Sequence, residues 1–253
     1  MWVGQQLADG LDFWGFLGSL ILGGIILGIY TGLLGYVGAK TGLSLDLLSQ
    51  RAFGEKGSYL PSAMTSFTQI GWFGVGSFVS GGTATPNFAR FAKDGKAGAI
   101  TTVVAFFIGN SLMFFFGAVS SIFVGGNDIF EVMVRLNLFY LAVLVLGLNI
   151  WTTNDNALYT AGLGLANIFH QRKKPMVLLS GIIGTVASVW LYYNFCGWLN
   201  ILNCTLPPVG MILVLAYFMN KEDFETDQPK LKTVDWFAVA GVILGAIVAN
   251  LLH

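Results

Sequence analysis

Long stretches without a single charged side chain constrain this chain more than any other feature. Residues 13–39, 57–89, 97–126, 176–219 and 236–252 contain no Asp, Glu, Lys or Arg, and residues 138–168 contain only Asp155. A helix crosses the hydrocarbon of a bilayer in roughly 20 apolar residues, so each run can supply at least one crossing. The chain is 55% hydrophobic and 10% charged, whereas a soluble domain carries about 25% charge. It reads as an all-α, polytopic membrane bundle with about seven spanning segments, and with a turn in the polar patch 194–203 that divides 176–219 into two. Thirteen basic residues balance thirteen acidic ones, which leaves no basic stripe for nucleic acid. Cys196 and Cys204 have neither zinc nor redox spacing. The first ten residues lack a basic and apolar signal pattern, so no cleavable leader is expected.

Lys and Arg gather on the cytoplasmic side of membrane proteins. Residues 1–12 have none and are expected outside, which puts Lys40, Arg51 and Lys56 inside. Arg90, Lys93 and Lys96 also read as inside, and this breaks the alternation. Beyond them the order is regular: Arg135 with Asp128 and Glu131 outside, Arg172 to Lys174 inside, the uncharged turn outside, and the charged loop 221–232 inside. Residues 57–89 must therefore leave and return on one face. A straight helix of that length would be about 50 Å long and would carry one cationic cluster to the wrong side. Pro61, Gly71, Gly74, Gly76, Gly81, Gly82 and Pro86 interrupt the run, and a reversal or a gap is expected between Gly74 and Gly82.

Polar groups inside the apolar runs are the candidate functional residues. At 100° per residue, Asn149, Thr152, Thr153, Asn156 and Thr160 fall within about 100° of one another. Such a stripe faces a bundle interior and marks a pathway, or it supplies bonds between helices. Asp155 lies off the centre of the stripe, suited either to titration or to a structural bond. Thr65, Gln69, Trp72 and Gly76 share one face of a glycine-rich half-helix. Gln69 offers a donor and an acceptor to the edge of a flat polar ligand, Trp72 offers a stacking face, and Phe78 offers a second one. Taken singly, an aromatic in an apolar span most often faces lipid or core; its conjunction with a broken backbone is what favours a ligand. Gly24, Gly28 and Gly32 repeat at i+4 and read as helix packing; His170 and His253 read as interfacial. No nucleophile elbow, P-loop, HExxH or paired carboxylate is present, so an enzyme is not expected.

The strings LGIYTGLLGYVGAKTGLS, TQIGWFGVG, FFIGNSLMFFFGA, VLGLNIWTTNDNALYTAGLGLANI, GIIGTV and PPVG resemble the bacterial cytosine permeases of nucleobase and cation symporter family 1, over nearly the whole chain. The resemblance implies an incomplete LeuT-type inverted-repeat fold in one transmembrane domain. In the family, twelve helices include two inverted five-helix repeats. Residues 1–76 resemble parts of the family's first three helices, and residues 77–253 resemble the end of its sixth through its eleventh. The rest of the third helix, the fourth, the fifth and the start of the sixth have no counterpart, nor has the twelfth. The implied join lies near Gly76 and Ser77, where the charge pattern also demands a break.

The resemblance further implies a secondary transporter importing cytosine with a cation, sodium or alternatively a proton, through the bacterial inner membrane. No other cofactor is implied. The base would stack between Trp72 and Phe78, with Gln69 and Asn149 at its edge and the backbone of Ser77 adjacent. Thr152 and Thr153 would ligate sodium. The implied partners are a nucleobase and membrane lipid, not nucleic acid, and the implied state is a monomer. Alternatives are a symporter for a related pyrimidine or hydantoin, or a shortened, non-transporting remnant or scaffold.

Overall fold

A computed structural model describes residues 12–75, 83–125 and 129–251. Among these residues the only regular structure is helical, as expected. In chain order the helices are α1 (Phe13–Thr41), α2 (Leu45–Phe53), α3 (Tyr59–Val75), α4 (Pro86–Ala89), α5 (Gly95–Val124), α6 (Ile129–Arg135), α7 (Phe139–Phe169), α8 (Lys173–Tyr193), α9 (Phe195–Met219), α10 (Lys221–Glu225) and α11 (Trp236–Leu251). Four segments among the described residues are long and apolar enough to cross a bilayer: Phe13–Thr41, Gly95–Val124, Lys173–Leu191 and Gly197–Met219; α11 is a shorter apolar helix. Their outward faces carry Ile182, Val186, Val189 and Trp190 of α8 and Ile100, Leu112 and Phe116 of α5, all exposed. Apolar faces of this extent suit lipid, not water.

The chain forms two compact units, Met1–Ile29 with Thr101–Thr152, and Tyr30–Ile100 with Thr153–His253. In the first, Gly24 and Gly28 lie under Phe107 and Val103 of α5; a Cβ at Gly24 would come 3.0 Å from the Phe107 ring. The packing role expected for these two glycines is what the structure contains.

In the second unit the core joins Leu34 and Val37 of α1 to Leu48 and Phe53 of α2 and to Val209 and Leu213 of α9. Burying a side chain such as Phe53, fully enclosed here, contributes about 1.5 to 3 kcal/mol. Helix α2 starts at Ser44, whose Oγ accepts from the Leu47 N–H at 3.5 Å, a short polar side chain satisfying an orphan donor. It stops at Gly54, where φ is +85° and a Cβ would come 2.5 Å from the Lys232 carbonyl oxygen. Glycine alone meets both demands cheaply. Helices α8 and α9 are separated only by Asn194, whose Nδ2 donates to the Trp190 carbonyl at 2.9 Å. The break expected over 194–203 is thus confined to one residue, because an amide that caps α8 lets α9 begin at once.

The cationic loops assigned to one face come together in this unit. The Leu45 N–H donates to Asn87 Oδ1 at 2.8 Å, and Gly95 abuts Tyr36 and Lys40. Arg51 donates to the carbonyls of Asp223 and Phe224, and the Glu55 and Lys56 N–H groups donate to the carbonyls of Lys232 and Thr233 at 2.7 and 2.8 Å. Tyr59 pairs with His170 at 2.7 Å. Residues 57–89 are not one helix, since a turn at 83–85 precedes α4. The expected join at 76/77 lies outside the described residues.

Candidate substrate and ion site

Helix α3 carries Gln69 and Trp72. Gln69 is buried. Trp72 has helical backbone; its side chain, like Ser77 and Phe78, lies outside the described residues. Behind Gln69 the helix is fixed by hydroxyls that bond within it: Thr65 Oγ1 donates to the Pro61 carbonyl at 2.9 Å and Thr68 Oγ1 to the Met64 carbonyl at 2.6 Å. Bonds of this kind remove the cost of burying a hydroxyl in an apolar bundle.

Helix α7 carries the polar stripe. Its later half crosses α3 closely: Ser66 Oγ donates to the Ala161 carbonyl at 3.2 Å, and a Cβ at Gly164 would meet Ser66 and come 2.8 Å from the Ser62 carbonyl oxygen. Thr153 and Thr160 lie within about 40° of Gly164 around α7, on the edge that turns toward α3. Thr160 is buried, and its hydroxyl has no hydrogen-bond partner among the described residues. Thr153 is half-buried. Asn149 and Thr152 belong to the other compact unit, and both are exposed. Thr152 Oγ1 donates back to the Leu148 and Asn149 carbonyls at 3.0 and 3.1 Å. That bond uses the hydrogen and leaves oxygen lone pairs, the part of a hydroxyl that a cation needs.

A second polar cluster, on the face where the cationic loops meet, was not singled out from the sequence. Asp46 is buried in α2, and its Oδ1 accepts from Ser62 Oγ at 2.6 Å. Burial pushes its carboxyl up to about 6, against smaller opposing effects of Ser62, its own N–H and Arg90. Asn167 Nδ2 donates to Ser58 and Ser62 at 3.1 and 2.9 Å, and Asn167 Oδ1 accepts from Gln50 at 2.5 Å. Arg90 donates to the Tyr159 hydroxyl, with the Lys173 ammonium 3.8 Å above that ring. A carboxylate inside the apolar pattern LSLDLLSQ was the available signal; its partners sit on other helices and were not.

A profile of the family described as "Permease for cytosine/purines, uracil, thiamine, allantoin" matches residues 1–84 and 75–252. The chain belongs to this family. "Cytosine permease" of Escherichia coli (strain K12) is 36% identical over 336 residues, covering 97% of this chain and 80% of the relative; the protein of the same name from strain O157:H7 gives the same figures. "Allantoin permease" of Bacillus subtilis (strain 168) is 34% identical over 82 residues, covering 32% of this chain and 16% of the relative. These relatives are permeases, transporters and not enzymes. Membership in this permease family and the spanning-length helices make the chain a multi-pass protein of the bacterial inner membrane.

Proposed function

We propose that the chain imports a nucleobase, cytosine before its relatives, by alternating access, as a monomer and together with sodium; a proton is the alternative ion. The observation that carries this reading is 36% identity across 97% of the chain with a protein named cytosine permease. The chemistry agrees with it. Cytosine is flat, with donors and acceptors around its rim, and an amide such as Gln69 can offer one of each to such an edge. Trp72 and Phe78 would stack on its faces, the backbone of Ser77 would lie beside it, and Asn149 would supply a second amide. Thr152 and Thr153 would turn hydroxyl lone pairs to the ion, which drives transport only through different affinities for the outward and inward states. Half-helices around a midplane site are the usual architecture for this in inverted-repeat transporters.

A second reading is favoured by the length of the alignment. It runs over 336 positions although the chain has 253 residues, and the two family matches overlap at residues 75–84. Both support a chain lacking internal family helices around 76/77, which would then be a shortened, non-transporting membrane protein. Uptake of labelled cytosine by bacteria that lack their own cytosine permease and express this chain separates the two readings. Saturable, sodium-dependent uptake supports transport, and uptake no greater than in the empty strain removes it. Competition by uracil and by hydantoins orders the related substrates.

A further inference from the structure

Trp198 is the largest side chain in a buried cluster with Ala157 of α7, Leu191 of α8, and Leu202 and Leu206 of α9. It is 2% exposed. Its indole abuts Gly71 of α3: a Cβ built on Gly71 would clash with Cζ2 of the ring and come 2.6 Å from Cε2 and 3.0 Å from Cη2. No residue other than glycine fits there without displacing either the ring or the helix. The location on α3 gives the contact its meaning. At 100° per residue, Gly71 lies about 130° around the helix from the middle of the Gln69 and Trp72 face. The indole therefore presses on the side of α3 turned away from the Gln69 and Trp72 positions.

We propose that Trp198 is a positioning residue for the base site, its indole on Gly71 setting how far the Gln69 and Trp72 face advances and thereby the size of base accepted. The inference rests on the reading that this face binds a nucleobase. A smaller side chain at 198 lets α3 settle back and widens the site, whereas a methyl at 71 pushes α3 forward and narrows it. Trp198 also follows the Asn194 break by only one helical turn, and its backbone N–H donates to the Asn194 carbonyl at 3.1 Å. The wedge is thus anchored at the α8–α9 joint.

The test is equilibrium binding of cytosine and of adenine, a larger base, to the purified 253-residue chain and three variants. Trp198→Leu should move the cytosine-to-adenine preference by about tenfold toward adenine, the scale of a one- or two-methylene change in a snug pocket. Gly71→Ala should weaken cytosine by about tenfold and adenine by more, and Gly71→Ala with Trp198→Leu should recover most of the cytosine loss, a coupling expected of side chains in direct contact. Should Trp198→Leu fail to fold, Trp198→Phe carries the same test, with a smaller shift in the same direction. Equal losses for both bases in every variant, with no recovery in the double variant, would overturn the proposal and reduce the contact to packing. Absence of base binding in the unaltered chain would instead remove the nucleobase reading, and this proposal with it.

Discussion

Two sets of polar groups share this apolar chain and are treated in opposite ways. Around Asp46, where the cationic loops meet, Ser58, Ser62, Gln50, Asn167 and Asn87 form a dense set of bonds linking α2, α3, α4 and α7. Along α7, Asn149, Thr152, Asp155 and Asn156 remain exposed on a helix whose neighbouring residues are Leu, Ile, Trp and Ala. A polar group that only holds a bundle together is satisfied within it, because leaving it unpaired costs about 1 to 3 kcal/mol. A polar group kept for a ligand has to stay available. By that criterion the Asp46 cluster, Asn87 Nδ2 apart, is structural, and under the proposed function the exposed residues of the stripe are those a ligand would use.

The largest expected effect probes the structural side through pH. The Asp46 carboxyl titrates near 6 when folded, above its ordinary 3.8, so the folded protein keeps a proton that the unfolded chain has released. Stability from this group is complete below about pH 4 and is lost as pH rises to about 6, a change of about 3 kcal/mol. Comparing denaturation of the unaltered chain and Asp46→Asn from pH 4 to 7 should isolate that fall, since the amide does not titrate in this range. Parallel curves would mean that Asp46 is not buried as described.

On the functional side, Trp72→Ala should weaken cytosine binding by about 1 to 3 kcal/mol, the value of one base-stacking face, while leaving the melting temperature nearly unchanged. Unchanged cytosine affinity in a folded variant would dissolve the contrast between the two sets. Ser62→Ala should do the reverse. It removes the hydroxyl that donates to Asp46 and accepts from Asn167, costing about 1.5 kcal/mol of stability with cytosine affinity intact. The smallest effect sharpens the ion assignment: Thr152→Ala with Thr153→Ala should lower sodium-stimulated cytosine binding by about threefold, below 1 kcal/mol, and leave sodium-free binding alone. Equal loss with and without sodium would make the pair structural.

Much of the architecture was legible because it depends on local order in the chain. The charge-free runs 13–39, 97–126 and 176–219 became the four helices long and apolar enough to span among the described residues, fewer than the roughly seven segments expected, and Lys and Arg placement grouped the loops that the structure brings together at Leu45, Arg51, Glu55 and Tyr59. The break expected between Gly74 and Gly82 from charge and helix length lies largely outside the described residues, which show only that a turn at 83–85 precedes α4. Less was legible at Asn194, where a whole polar patch suggested a longer turn than the single capping residue observed, since composition alone does not reveal that one amide can close a helix.

What the sequence determined by itself is the membrane class, the helices and the faces on which loops lie, because lipid selects residues one segment at a time. Tertiary structure alone decided which polar and small residues meet. Asp46 finds Ser62 sixteen positions away and Gln50 finds Asn167 one hundred and seventeen away, and Gly71 lies beneath Trp198 from another helix. Lipid and protein interior are equally apolar to a hydropathy pattern, so the side of a helix that meets protein is fixed only when another helix packs against it.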